Sequence, residues 1–147
     1  VTRAQMAVFL LTAEHGAGFT PPPATGTVFN DVPAGSFAAA WIEQVAAEGI
    51  STGCGGGNYC PGSSVTRDQM AVFLLLAREG SSFTPPACTS AVFSDVPCSN
   101  PFAPWVNELA RRGVTAGCGG GRYCAGDPIT RSQMAVFLSA NFGLSTP

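Results

Sequence analysis

Apolar residues recur at helical spacing in three stretches of the chain. In residues 66–78, Met70, Val72, Phe73 and Leu74 supply the buried face of a helix. The same face returns at 2–14 with Met6, Val8, Phe9 and Leu10, and at 130–141 with Met134, Val136, Phe137 and Leu138. Two shorter stripes lie between them: Trp41, Ile42 and Val45 predict a helix over about 36–48, and Trp105, Val106 and Leu109 one over about 100–112. Ser36 is the N-cap expected for the first and Gly49 lies just past its end. Asn100 is the N-cap expected for the second, with Pro101 at the first helical position and Gly113 beyond the end. The Pro-rich segments 19–28 and 83–92 are polar breaks that cannot continue a helix. The pattern predicts a mainly α fold of tandem helix–loop–helix units, with at most very short strands beside the loops.

These stripes belong to a repeat. Val1-Thr2-Arg3-Ala4-Gln5-Met6-Ala7-Val8-Phe9-Leu10 returns 64 residues later from Val65, and again 64 residues on from Ile129. The same offset carries Phe29-Asn30-Asp31-Val32-Pro33 onto Phe93-Ser94-Asp95-Val96-Pro97, and Trp41 onto Trp105. It also carries Gly53-Cys54-Gly55-Gly56-Gly57-Asn58-Tyr59-Cys60 onto Gly117-Cys118-Gly119-Gly120-Gly121-Arg122-Tyr123-Cys124. Three divisions follow: residues 1–18 as the second half of a first unit, 19–82 as a second unit with its linker, and 83–147 as a third.

Thr2 with Gln5, Thr66 with Gln69, and Thr130 with Gln133 each match a capping box, in which the Thr hydroxyl and the Gln side chain satisfy two free amides reciprocally. Capping does not explain the arginine between them. A cation in the first turn faces the positive end of the helix dipole, yet Arg3, Arg67 and Arg131 are kept while the next position varies among Ala, Asp and Ser. Two roles are open on chemistry alone: an anion seat for a carboxylate or phosphate, or structural pairing with Asp31 or Asp95. Trp41 and Trp105 are read as core rather than as a sugar platform.

The six cysteines change the picture of where the chain works. Cys54 with Cys60, and Cys118 with Cys124, bracket glycine-rich loops, and they read as disulfides formed in an oxidising, extracellular compartment. Cys88 and Cys98 replace Ala24 and Ala34 of the preceding copy together, as a third disulfide requires. No C-x-x-C is present and His15 is the sole histidine, so no metal or cofactor is expected. The Cys-Gly-Gly-Gly loops lack the Lys and helix start of a phosphate cradle. Charged residues make up only 11% of the chain and the net charge is −2, which gives no reason to expect nucleic acid. No apolar run is long enough for membrane insertion. No nucleophile–base pair recurs, and the chain is not read as an enzyme.

In order and in kind, Phe-x-Asp-Val-Pro, Trp, Gly49-Ile50 or Gly113-Val114, a glycine-rich turn and Val/Ile-Thr-Arg-x-Gln resemble the S-layer homology (SLH) motif. The resemblance implies a pseudo-threefold arrangement of motifs in a cell-surface module that holds acidic, often pyruvylated, cell-wall polysaccharide. It implies anion-contacting roles for Arg3, Arg67 and Arg131, and organising roles for Trp41, Trp105, Asp31 and Asp95. Three features depart from the motif: Gln5, Gln69 and Gln133 replace its Glu, disulfide loops replace its usual turn, and only two motifs are complete. An incomplete motif leaves an apolar face that another copy fills, so assembly into a layer, fibre or tube stands as the alternative partner reading.

Overall fold

The computed structural model describes residues 1–144, so the last three residues expected in the third unit lie outside it. Five helices form: α1 (Arg3–His15), α2 (Ala39–Ala47), α3 (Arg67–Glu79), α4 (Ala103–Arg111) and α5 (Arg131–Phe142). The three long helices start where the capping boxes place them. In each, the Gln side chain accepts from the Thr amide, at 3.1 Å for Thr2, 3.3 Å for Thr66 and 3.0 Å for Thr130.

The short helices begin later than their stripes suggest. Ser36 does not cap α2. The chain turns through Pro33–Ala39 instead, and the N-cap is Ala38 in the left-handed region with no side-chain bond. Asn100 likewise accepts from the Phe102 amide at 2.8 Å in a turn upstream of α4. Phe102 is the cap there, and Pro104 rather than Pro101 occupies the first helical turn.

Packing pairs the helices differently from the sequence repeat. α2 packs on α1 and α4 on α3, while α1, α3 and α5 each touch the other two. A ring of backbone bonds joins the entries to these three helices. Val65 donates to Val1 at 3.0 Å, Ile129 to Val65 at 2.8 Å, and the Val1 nitrogen to Ile129 at 2.7 Å. Met6, Leu10, Met70, Leu74, Met134 and Ile129 fill the interior around this ring.

Two of the three helices in the ring thus carry an outer partner. Among the described residues α5 carries none, and Val136 at 64% and Leu144 at 43% stay exposed on its side of the molecule. Phe9, expected in the core with Phe73 and Phe137, is only partly covered for the same reason.

The linkers fold back onto the short helices. Phe19 meets Trp41 edge-on at 5.8 Å between ring centroids, and Phe83 meets Trp105 at 6.1 Å, leaving both tryptophans half-buried. Glu43 accepts from the Thr25 and Gly26 amides at 2.8 and 2.7 Å. At the matching position Asn107 donates to the Ser90 carbonyl and accepts from Val92. Cys54 is bonded to Cys60, Cys118 to Cys124 and Cys88 to Cys98. A disulfide closing so short a loop contributes on the order of 2 kcal/mol through the unfolded chain.

Candidate functional site

Arg3 and Arg67 are 6% and 4% exposed, so the first-turn arginines of α1 and α3 are buried rather than displayed. Each sits in a clasp with the tyrosine of a disulfide loop. The Arg3 Nε donates to the Tyr59 carbonyl at 2.7 Å, and the Tyr59 hydroxyl donates to the Arg3 carbonyl at 3.1 Å. Arg67 and Tyr123 repeat the exchange at 2.8 Å in both directions. The guanidinium of Arg3 lies over the Tyr59 and Phe73 rings, and that of Arg67 over Tyr123 and Phe137. Burial lowers the Arg3 pKa and pushes the Tyr59 hydroxyl up to about 12, with the Arg3–Tyr59 attraction opposing both shifts.

Neither arginine forms an ion pair with Asp31 or Asp95. Those carboxylates lie one layer further out and hold the loop backbone. Asp31 accepts from the Tyr59 and Cys60 amides at 2.7 and 2.8 Å, and Asp95 from Tyr123 and Cys124 at the same distances. Burial alone would raise both carboxyls, but the amide bonds, with Arg3 near Asp31 and Arg122 near Asp95, hold both below the ordinary carboxylate value. A depressed folded pKa means that the stability contributed is complete above the unfolded value of 3.8 and is lost as pH falls through the folded one. The part of the stability owed to these two carboxylates should therefore be lost below about pH 4, and Asp31→Asn/Asp95→Asn should flatten that acid limb of the thermal midpoint.

The two clasps differ at one atom that decides their chemistry. Arg3 spends a terminal nitrogen on the Ser51 hydroxyl at 3.1 Å. In the second clasp Thr115 takes that place and, like Ser51, accepts from the glycine amide two residues on, but it accepts nothing from Arg67. Among the described residues the terminal nitrogens of Arg67 have no hydrogen-bond partner, and this guanidinium lines an open groove of about 360 Å³. Thr115, Gly117, Ser132, Gln133 and Val136 form its other walls. Position 68, the counterpart of Ser132 in the preceding unit, is Asp68, whose charge repels an anion.

The helix starts differ as well. The first two amides of α1 donate to the Ser63 and Pro61 carbonyls, and those of α3 to the Asp127 and Ala125 carbonyls. Among the described residues no carbonyl covers the amides of Arg131 and Ser132 at α5. Arg131 is exposed, over the Phe9 ring at 5.0 Å but with no tyrosine beside it. It lines a second cavity of about 390 Å³ with Phe9, Ser132, Met134, Ala135 and Leu138. Arg67 and Arg131 thus flank the first turn of α5 with Ser132 common to both hollows, while Arg3 keeps one terminal nitrogen on Ser51.

The clasping tyrosines are the functional neighbours that sequence reasoning passed over. Their signal was present in the fixed separation of 56 residues from Arg3 to Tyr59 and from Arg67 to Tyr123. Among the described residues no helix is long and apolar enough to cross a membrane. Comparison with known families gives a match to the S-layer homology domain over residues 28–71 and again over 92–135. Each segment runs from a Phe-x-Asp-Val-Pro turn through a disulfide loop into the next long helix, α3 or α5, while the loop itself clasps the long helix before it. No curated protein matches the chain.

Proposed function

Because the chain belongs to the S-layer homology domain family, whose members are non-catalytic cell-surface modules that bind cell-wall polymers, we propose that it anchors a secreted protein through acidic wall polysaccharide. The observation that carries this reading is the Arg67 groove: a buried cation with unused donors, polar walls and an apolar floor from Phe137. A carboxylate or pyruvyl group accepts from the free guanidinium nitrogens, and the sugar ring packs against Val136 and Phe137. Arg131 and the α5 amides extend the contact toward the next saccharide. Arg3 keeps a structural role.

The units are proposed to divide at 1–18, 19–82 and 83–147 in a pseudo-threefold arrangement about the Val1–Val65–Ile129 ring. The three-way contact of α1, α3 and α5 supports it. The anchor reading is tested by cosedimentation with purified walls before and after the acidic polymer is stripped. Retention on intact walls and its loss on stripped ones is the expected pair of results. Equal retention on both overturns the reading.

A second reading, self-assembly, is favoured by the unpartnered side of α5. There a largely apolar hollow of about 590 Å³ runs between Val8, Phe9, Thr12, Leu138 and Leu144. A face of this kind meeting a different face of the next copy extends into a filament or layer. Light scattering separates the two: a monomer that binds wall polymer supports the anchor, and concentration-dependent growth without polymer supports assembly.

A further inference from the structure

The ends of α1 and α2 hold a charge arrangement that the wall-binding site does not use. Glu14 and His15 are the last residues of α1, and Glu48 caps α2. His15 Nε2 lies 2.9 Å from a Glu48 carboxylate oxygen and 3.9 Å from Glu14 Oε2. One ligand atom from each of the three residues falls within 4.8 Å of the other two. Glu14 Oε2 is fully buried and has no hydrogen-bond partner. The His15 ring is held in place by Phe19, 4.3 Å away between centroids.

This arrangement opposes the local physics unless a proton or a metal cation joins it. Helix C-termini carry partial negative charge and favour cations, yet two carboxylates sit there. Burial, with Glu48 next in effect, pushes the Glu14 carboxyl up to about 7. The second repeat makes the comparison internal to the molecule. At the same three positions it has Arg78, Glu79 and Arg112. Arg112 bonds Glu79 there and also reaches Glu108 at 2.7 Å, where the first repeat has Gln44. The second corner therefore carries two fixed guanidinium cations; the first has only the His15 imidazole among its carboxylates.

We propose that Glu14, His15 and Glu48 bind a divalent transition-metal ion of the zinc class, which clamps the end of α1 to the end of α2. One imidazole and two carboxylates are a zinc-type donor set, with water completing four-coordination. Tetrahedral zinc spaces its ligands about 3.3 Å apart, between the two separations seen here. Calcium or magnesium would need more oxygen ligands than this corner holds. Sequence reasoning set metal aside because the chain has one histidine, but a mixed site needs only one.

That single histidine also makes the test direct, since every imidazole proton resonance belongs to His15. Zinc titrated into the whole chain should perturb those resonances, saturate at one ion per chain and raise the thermal midpoint. Calcium should do none of these. Glu14→Gln and Glu48→Gln should each weaken zinc binding by about tenfold or more. Without metal, Glu14→Gln should be at least as stable as the wild type, because it relieves carboxylate repulsion. Unmoved His15 resonances, an equal response to calcium, or wild-type zinc affinity in both folded glutamine variants overturns the site.

Discussion

Asp95→Ala should destabilise the protein by about 3 kcal/mol, because two charge-assisted bonds to the loop backbone are lost at once. The Tyr123 and Cys124 amides donate to this carboxylate at 2.7 and 2.8 Å, and Cys124 sits in the left-handed region at φ 59°. A non-glycine residue pays roughly 1–2 kcal/mol to stay there, so the bond to its amide holds the loop in a conformation it would otherwise leave. For a chain of this length the loss corresponds to roughly 10 °C in the melting midpoint. Asp31→Ala should do the same to the first loop, which has the same bonds and Cys60 at φ 59°. The disulfide should remain in each variant, since it constrains the loop ends but does not satisfy the amides. Calorimetry of the two single variants checks the size, and a loss below about 1 kcal/mol would remove the carboxylates from their organising role.

The second large effect is expected at Gly117. Its φ is +88°, and a Cβ there would stand 2.3 Å from the Arg122 carbonyl oxygen and 2.7 Å from the Phe93 ring. The carbonyl belongs to the loop's own closing bond, accepted from Cys118 at 2.8 Å, so it cannot step aside. Gly117→Ala should cost about 3 kcal/mol, the strain of the left-handed region plus displacement of that bond. Gly121→Ala supplies the control, having φ +72° and open space around the added carbon. It should cost only about 1 kcal/mol. Urea unfolding of the pair separates close approach from backbone strain, and equal losses would show that the contact with Arg122 does not matter.

Much of this architecture could be read before any coordinates. The 64-residue offset located the long helices because capping boxes mark their starts chemically, and the paired change at Cys88 and Cys98 identified its own bond. The short helices were read too early at Ser36 and Asn100 because residues that suit a cap also suit the turn that precedes one. Pairing of α2 with α1, across the motif boundary, was hidden because periodicity shows that a face is apolar but not what covers it.

The arginines were the hardest case. Arg3, Arg67 and Arg131 occupy equivalent positions, and what distinguishes them lies on other segments. Ser51 accepts from Arg3 where Thr115 accepts nothing from Arg67, Asp68 places a negative charge where Ser132 has none, and loop carbonyls cover two of the three long-helix starts. Such differences show as ordinary substitutions until the fold brings them together.

They also make the sharpest test. Calorimetric titration of soluble acidic wall polymer into wild type, Arg67→Met and Arg3→Met compares the guanidinium that lines the groove with the one bonded to Ser51, methionine preserving much of the buried stem in each. The expected result is a loss of about tenfold or more for Arg67→Met, the equivalent of one charge-assisted hydrogen bond. Arg3→Met should bind as the wild type does while melting at a lower temperature. Wild-type affinity in a folded Arg67→Met chain would contradict the assignment of this groove as the anchor site.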